Sequence, residues 1–196
     1  MLLASALLAA CGQLLSGKVY TELDTLKAGE YQLDPNHTRV LFKVNHLGVS
    51  SFVGRFNQSR AALDFNESDP AASTIVADVE MGSLDINRPD FADTLMGCDW
   101  LCVEDYPSAR FESRGRAEVD GRQLKFNGDL AFRGVTQPCV LIVNINGATT
   151  NRLTGDYTLG FEAQLVFLRS DFGMNRFIPA VGDEVSIEVY AEFIRQ

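Results

Sequence analysis

Alternation of apolar and polar residues with a period of two, repeated in segment after segment, constrains this chain more than any other feature. Successive side chains of an extended strand point to opposite faces, so each such run buries one face and wets the other. The longest inward face is Tyr157, Leu159, Phe161, Ala163, Leu165 and Phe167, and Val185, Ile187, Val189, Ala191 and Phe193 repeat the pattern near the C-terminus. Ile75, Ala77, Val79 and Met81 alternate with polar Thr74, Asp78 and Glu80. Phe111 to Val119 alternates until Asp120-Gly121, a strong hairpin signal, beyond which Leu124, Phe126, Gly128, Leu130 and Phe132 take the pattern up again. With the shorter runs at 54–65 and 140–145, the spacing predicts an all-β chain of about eight or nine antiparallel strands, closed as a barrel or stacked as a sandwich.

The first clear strand follows three turn formers, Asp34-Pro35-Asn36, which predict a strand ending near Leu33 and another starting near Arg39. Val40, Phe42, Val44 and His46 share one face of that second strand, and this stretch holds both histidines, His37 and His46. One segment breaks the β pattern. Pro89 suits a first helical turn, and Phe91, Leu95, Cys98 and Cys102 fall on one helical face, which predicts a short helical insertion over 88–103. Gly97 and Asp99 divide it into two short helices. Such an insertion, lying across a barrel mouth, is either a structural plug or a ligand gate.

At 196 residues and 46% hydrophobic, the chain can bury one sizeable core, and no linker divides it. Its 26 acidic against 17 basic residues argue against nucleic acid as a partner. Hydrolytic chemistry finds no Gly-x-Ser-x-Gly elbow, and the histidines and cysteines lack the spacing of a zinc site, so neither catalysis nor a required cofactor is expected. Residues 1–11 form an apolar run too short to span a bilayer. Leu8-Ala9-Ala10-Cys11 resembles the lipobox of bacterial lipoproteins, which implies lipidation of Cys11 and a membrane anchor, although Met1-Leu2-Leu3 lacks a positive n-region. A cleavable export signal with an incidental cysteine is the alternative. Residues 12–28 read as a tether or an irregular lead-in, and 29–196 as the folded domain. With Cys11 lipidated, Cys98, Cys102 and Cys139 remain, an odd number that leaves at least one thiol free. Four residues apart on a helix, Cys98 and Cys102 fall inside the disulfide window, and an exported protein meets oxidising conditions, so this pair is the first choice; two buried thiols are the alternative.

The ordered set Tyr31-x-Leu-Asp-Pro-x-His37, Phe42-x-Val-x-His-Leu-Gly48, Gly54-x-Phe56, Asp105-Tyr-Pro107 with Phe111, Leu130 to Thr136, and Arg169-Ser-Asp-Phe-Gly-Met174 resembles the YceI-like family of bacterial envelope proteins. The resemblance implies a single lipocalin-like antiparallel barrel, chosen over the sandwich, that binds polyisoprenoid lipids or isoprenoid quinones such as ubiquinone in the periplasm without catalysis. It also places the motifs of His37, His46, Arg169, Ser170 and Asp171 together, as a polar rim for a head group, with Phe172 beside them. Phe42, Phe111, Phe126, Phe161 and Leu165 are the expected apolar lining. Bland alternatives stand beside these: His37 bonding its own turn, Arg169 clamped to Asp171, a barrel packed solid by its 13 Phe and 5 Tyr, or an enzyme acting on a bound lipid.

Overall fold

The two strands at Gly29–Leu33 (β1) and Arg39–His46 (β2) both pair antiparallel with one long strand, Val181–Arg195 (β12), in a computed structural model that describes residues 17–196. The Asp34-Pro35-Asn36 signal is therefore a kink within a continuing edge, where the Asp34 carboxylate accepts from the Asn36 N–H at 2.9 Å. The pattern repeats next door: Ser50–Phe56 (β3) pairs with β2, and Ser59–Phe65 (β4) pairs with β1. Thr74–Glu80 (β5) and the two-residue Leu84–Asp85 (β6) then continue along β4 and β3.

Closure comes from the remaining strands. Ser108–Ser113 (β7), Gln123–Phe132 (β9), Val135–Thr150 (β10) and Tyr157–Leu168 (β11) carry the sheet from β5 round to β12, and β12 returns to β1 through Leu33 opposite Phe193. The ring β1-β4-β5-β7-β9-β10-β11-β12 is a closed antiparallel barrel of eight strands, and β2, β3 and β6 lengthen one end of it. Closure leaves the ring without an open edge. Glu118–Asp120 (β8) pairs only with β9, across the Asp120-Gly121 hairpin.

The end holding Gly29, Phe65, Tyr157 and Arg195 is packed solid: Tyr31, Phe65, Leu124, Leu159 and Phe193 are each at most 1% exposed. Residues 17–28 are more than a tether. Tyr20 bridges to Ala148 through two backbone hydrogen bonds of 2.8 and 2.7 Å, and Leu23 and Leu26 are buried against this end of the barrel as a stopper. Cys11 and the segment 1–11 lie outside the described residues.

Candidate functional site

Beyond the packed end the barrel is hollow. Inward side chains of the other half enclose a cavity of about 750 Å³, within the range of small-molecule sites. The space arises because several inward positions are alanine: Ala61 of β4 lies directly opposite Ala77 of β5, and Ala109 and Ala163 line further strands. Gly54 does similar work in β3, where any side chain would collide with the Phe42 ring crossing from β2. Phe42, Val44, Phe111, Leu130, Phe161, Leu165 and Phe193 all face the cavity, as their alternation implies.

The insertion between β6 and β7 roofs it. Pro89–Met96 (α1) is the one α-helix among the described residues, and its Phe91 meets Phe52 of β3 edge-on at 6.3 Å between ring centres. After Gly97 the chain does not form the expected second helix. Trp100 and Cys102 N–H groups both donate to the Gly97 carbonyl, at 2.9 and 3.0 Å, and Cys102 takes a left-handed φ of 53°. Cys98 and Cys102 are joined as a disulfide within this turn rather than along a helix face, and Cys139 is the free thiol among the described residues.

Polar groups on the cavity wall are few: His46, Arg88, Thr94, Asp99, Arg169 and Arg176. Five of them belong to the roof or to the connection between β11 and β12, and the sixth, His46, ends β2. Arg176 pairs with Asp99, and Trp100 packs on Phe177 at 6.1 Å, so the turn after α1 is clasped to the segment following β11. Arg133, in the β9–β10 turn, ties the same parts together by donating to the carbonyls of Cys98 and Phe172, each at 3.2 Å.

Arg169 is the chemical centre of this end. Its guanidinium, 3% exposed, donates to four backbone carbonyls, those of Gly182, Met174, Arg176 and Val181, at 2.6 to 2.9 Å. It also lies over the Trp100 ring at 5.7 Å. Among the described residues no carboxylate forms an ion pair with it. Burial pulls its pKa down from the ordinary value, with the charge of Asp183 opposing that shift. The clamp to Asp171 is not formed, because Asp183 takes the nearby polar role, accepting from the Ser170 N–H at 2.9 Å and hydroxyl at 2.7 Å.

The expected site residues thus divide. His46, Arg169, Phe42, Phe111, Phe161 and Leu165 converge on the cavity. His37 does not: it sits in the kink between β1 and β2 with its side chain 62% exposed, its Nδ1 2.8 Å from Asp34, outside the cavity wall. Ser170 is held by Asp183, Asp171 is exposed, and Phe172 is buried against Phe132 and Phe167 without facing the cavity. Phe126 is buried in the interior and does not reach the cavity wall. Arg176 joins Arg169 on the cavity wall from the same polar loop, whereas Arg88, Asp99, Trp100 and Phe177 lie on loops where no periodicity assigns a direction and nothing in the sequence signals them. Two groups of metal-ligating type occur among the described residues, Asp34 with His37 and Glu192, and Cys98 with Cys102 and Asp105. Both sulfurs of the second are spent in the disulfide.

Known proteins share this architecture. A UPF0312 protein of Pseudomonas paraeruginosa is 30% identical over 171 residues, which cover 86% of this chain and 88% of that relative. The crystal structure of Burkholderia cenocepacia BcnA superposes with a TM-score of 0.73 at 21% identity, covering 82% of this chain and 98% of that one. A polyisoprenoid binding domain from Saccharophagus degradans, implicated in plant cell wall breakdown, superposes with a TM-score of 0.62 at 12% identity, covering 87% and 100%. The YceI-like domain matches residues 31–193, and with that span the chain belongs to the YceI-like family.

Proposed function

We propose that the protein holds an isoprenoid chain, of a polyprenol derivative or an isoprenoid quinone, inside the hollow half of the barrel, as a non-catalytic carrier or store in the bacterial envelope. The observation that carries this reading is a cavity of about 750 Å³ whose deep wall is apolar and whose polar side chains gather at one end. An apolar chain fits the depth, and its polar end must stay where donors are, because an unpaired head group buried among the phenylalanines would cost several kcal/mol. Burial of some 500 Å² of ligand surface contributes about 12 kcal/mol at roughly 25 cal/mol per Å². Association costs of about 4 to 15 kcal/mol offset much of that, so contacts at the polar end govern selectivity.

Arg169 and His46 are the proposed head-group contacts. A guanidinium has five N–H donors, and the four carbonyl contacts of Arg169 leave one for an acceptor arriving from the cavity. Its charge, bonded to carbonyls rather than to a carboxylate, favours a phosphate or quinone oxygen over a bare hydrocarbon end. The polyisoprenoid-binding neighbour of the same fold supports this ligand class. Export, and anchoring through an acylated Cys11, belong to the same proposal; intact-mass analysis of expressed precursor tests it, and an unmodified N-terminus downstream of Cys11 rejects it. The main test is extraction of purified protein with organic solvent followed by mass spectrometry. Absence of a co-purifying isoprenoid, together with no uptake of added polyprenol or quinone from detergent, would overturn the reading.

A further inference from the structure

The two turns beside the cavity mouth expose large apolar side chains on backbone that disfavours them. In the β2–β3 turn, Leu47 and Gly48 both have positive φ, 58° and 69°, where Asn-Gly is the low-energy choice. Here the first position is a leucine 59% exposed, followed by Val49 at 82%. In the segment before β12, Phe177 has φ 61° and is 57% exposed, with Ile178 beside it. The turns form a single rim, since the Leu47 N–H donates to the Ala180 carbonyl and His46 pairs with Val181. Left-handed backbone is costly for a leucine or phenylalanine. Phe177 recovers part of that cost by packing on Trp100, whereas Leu47 and Val49 stay mostly exposed and recover little of it through burial.

We propose that this rim docks onto a lipid bilayer, so that the ligand passes between membrane and cavity without crossing water; the inference rests on the lipid-binding reading above. Two further observations select a bilayer as the occupant. Phe177 is both exposed and on the cavity wall, so the apolar surface of the rim runs without interruption into the ligand space. In a chain of net charge −9, the stretches Val44 to Arg55 and Phe172 to Gly182 contain no Asp or Glu, while Arg176 lines the cavity beside Phe177. A patch with apolar tips, whose one carboxylate at the mouth, Asp99, is paired with Arg176, can enter the headgroup boundary of an anionic membrane, where the acidic remainder of the surface is repelled.

Vesicle flotation tests this with the full chain carrying Cys11→Ser, which removes any acyl anchor, against phosphatidylcholine vesicles with and without phosphatidylglycerol. The comparison protein adds Leu47→Asn, Val49→Ser and Ile178→Ser, none of which lines the cavity; both proteins share residues 1–16, so any affinity of that segment is common to them. We expect the parent to float, with the emission of Trp100, the only tryptophan, shifting to the blue. The triple variant should float at least ten-fold less and acquire polyprenol from vesicles at least ten-fold more slowly. Its occupancy after loading from detergent, read by native mass spectrometry, should equal that of the parent, and its thermal midpoint should not fall. Equal flotation of both proteins, or no flotation of the parent, overturns the proposal. So does a loss of self-association in the variant on sedimentation without a change in flotation, which would make a second copy of this chain the occupant. Failure of the lipid-binding reading itself registers separately, as no loading of the parent from detergent.

Discussion

Replacing Ala163 by tryptophan separates a hollow barrel from a solid one by the sign of its effect on stability, before any ligand is added. Ala163 points inward from the middle of β11, lies opposite Val143 and Val189, is 3% exposed and lines the cavity. In a cavity of about 750 Å³ an indole finds room and apolar neighbours. Burial of about 150 Å² of additional apolar surface at roughly 25 cal/mol per Å² contributes up to about 4 kcal/mol. Fixing the new side chain removes about 1 kcal/mol. For a chain of this size each kcal/mol shifts the midpoint by about 2 to 4 °C, so the lipid-free variant should melt about 6 to 12 °C higher. Overpacking a solid core has the opposite sign, a loss of about 1 to 3 kcal/mol. Calorimetry of delipidated protein measures the shift, and native mass spectrometry should find isoprenoid occupancy at least ten-fold reduced. A lowered midpoint with lipid still bound would refute the argument.

Arg169→Lys keeps the charge but, with three donors, gives up at least one of four charge-assisted hydrogen bonds, so stability should fall by about 1.5 to 3 kcal/mol or more and the bound lipid should weaken or change identity; unchanged lipid in a folded variant would make the guanidinium purely structural. His37→Ala, outside the cavity, should leave lipid identity and occupancy as they are in the parent by native mass spectrometry. Reduction of Cys98–Cys102, which closes a loop of sequence separation 4, should lower stability by about 2 kcal/mol in a chain-entropy estimate, and non-reducing peptide mapping that finds both as free thiols in oxidised protein would remove the bond. The His37–Asp34 pair sets a small pH dependence: the hydrogen bond to Asp34 raises the imidazole pKa, so that contribution is present below the ordinary histidine range and is lost as pH rises through the raised value. Its partner is held low by the same bond and loses its contribution as pH falls, so His37→Gln should cost most between about pH 4 and 6.5 and nothing at pH 9, as urea titrations at several pH values would show.

Period-two alternation made the strands legible because burial on one side of a closed sheet imposes it directly, as Tyr157 to Phe167 illustrates. It could not show that β1 and β2 share one partner, since the Asp34-Pro35-Asn36 signal marks a kink and a hairpin alike; the pairing with β12 is a long-range choice. Helical periodicity failed after Gly97, where Cys98 and Cys102 kept the right spacing on a chain that turns instead. Direction failed at His37 for a related reason. It is the last residue of the three-residue 3-10 turn Pro35–His37, off the strand pattern, and its Asp34 bond holds it outward. The inward alanines were the available signal for the cavity: Ala61 facing Ala77, with Ala109 and Ala163, is a lining of small side chains that a solid core would not choose.

The position of the polar clamps explains how the cavity keeps its shape. A cavity in an ordinary core invites the surrounding side chains to relax inward, and the gain in dispersion contacts drives that relaxation. Here the parts that would have to move are tied from outside the apolar wall: Arg169 binds the carbonyls of the segment leading into β12, Arg133 joins the roof to the β9–β10 turn, and Arg176 pairs across the mouth with Asp99. Stability resides in the opposite end, where Tyr31, Phe65, Leu124, Leu159 and the Leu23–Leu26 stopper are fully packed. Any ligand filling the cavity adds RT ln(1 + [L]/Kd) to stability, about 2.7 kcal/mol at a hundred-fold excess over Kd. That increment falls on the hollow half, so amide exchange of β2, β3 and α1 should slow on loading while that of the packed end does not.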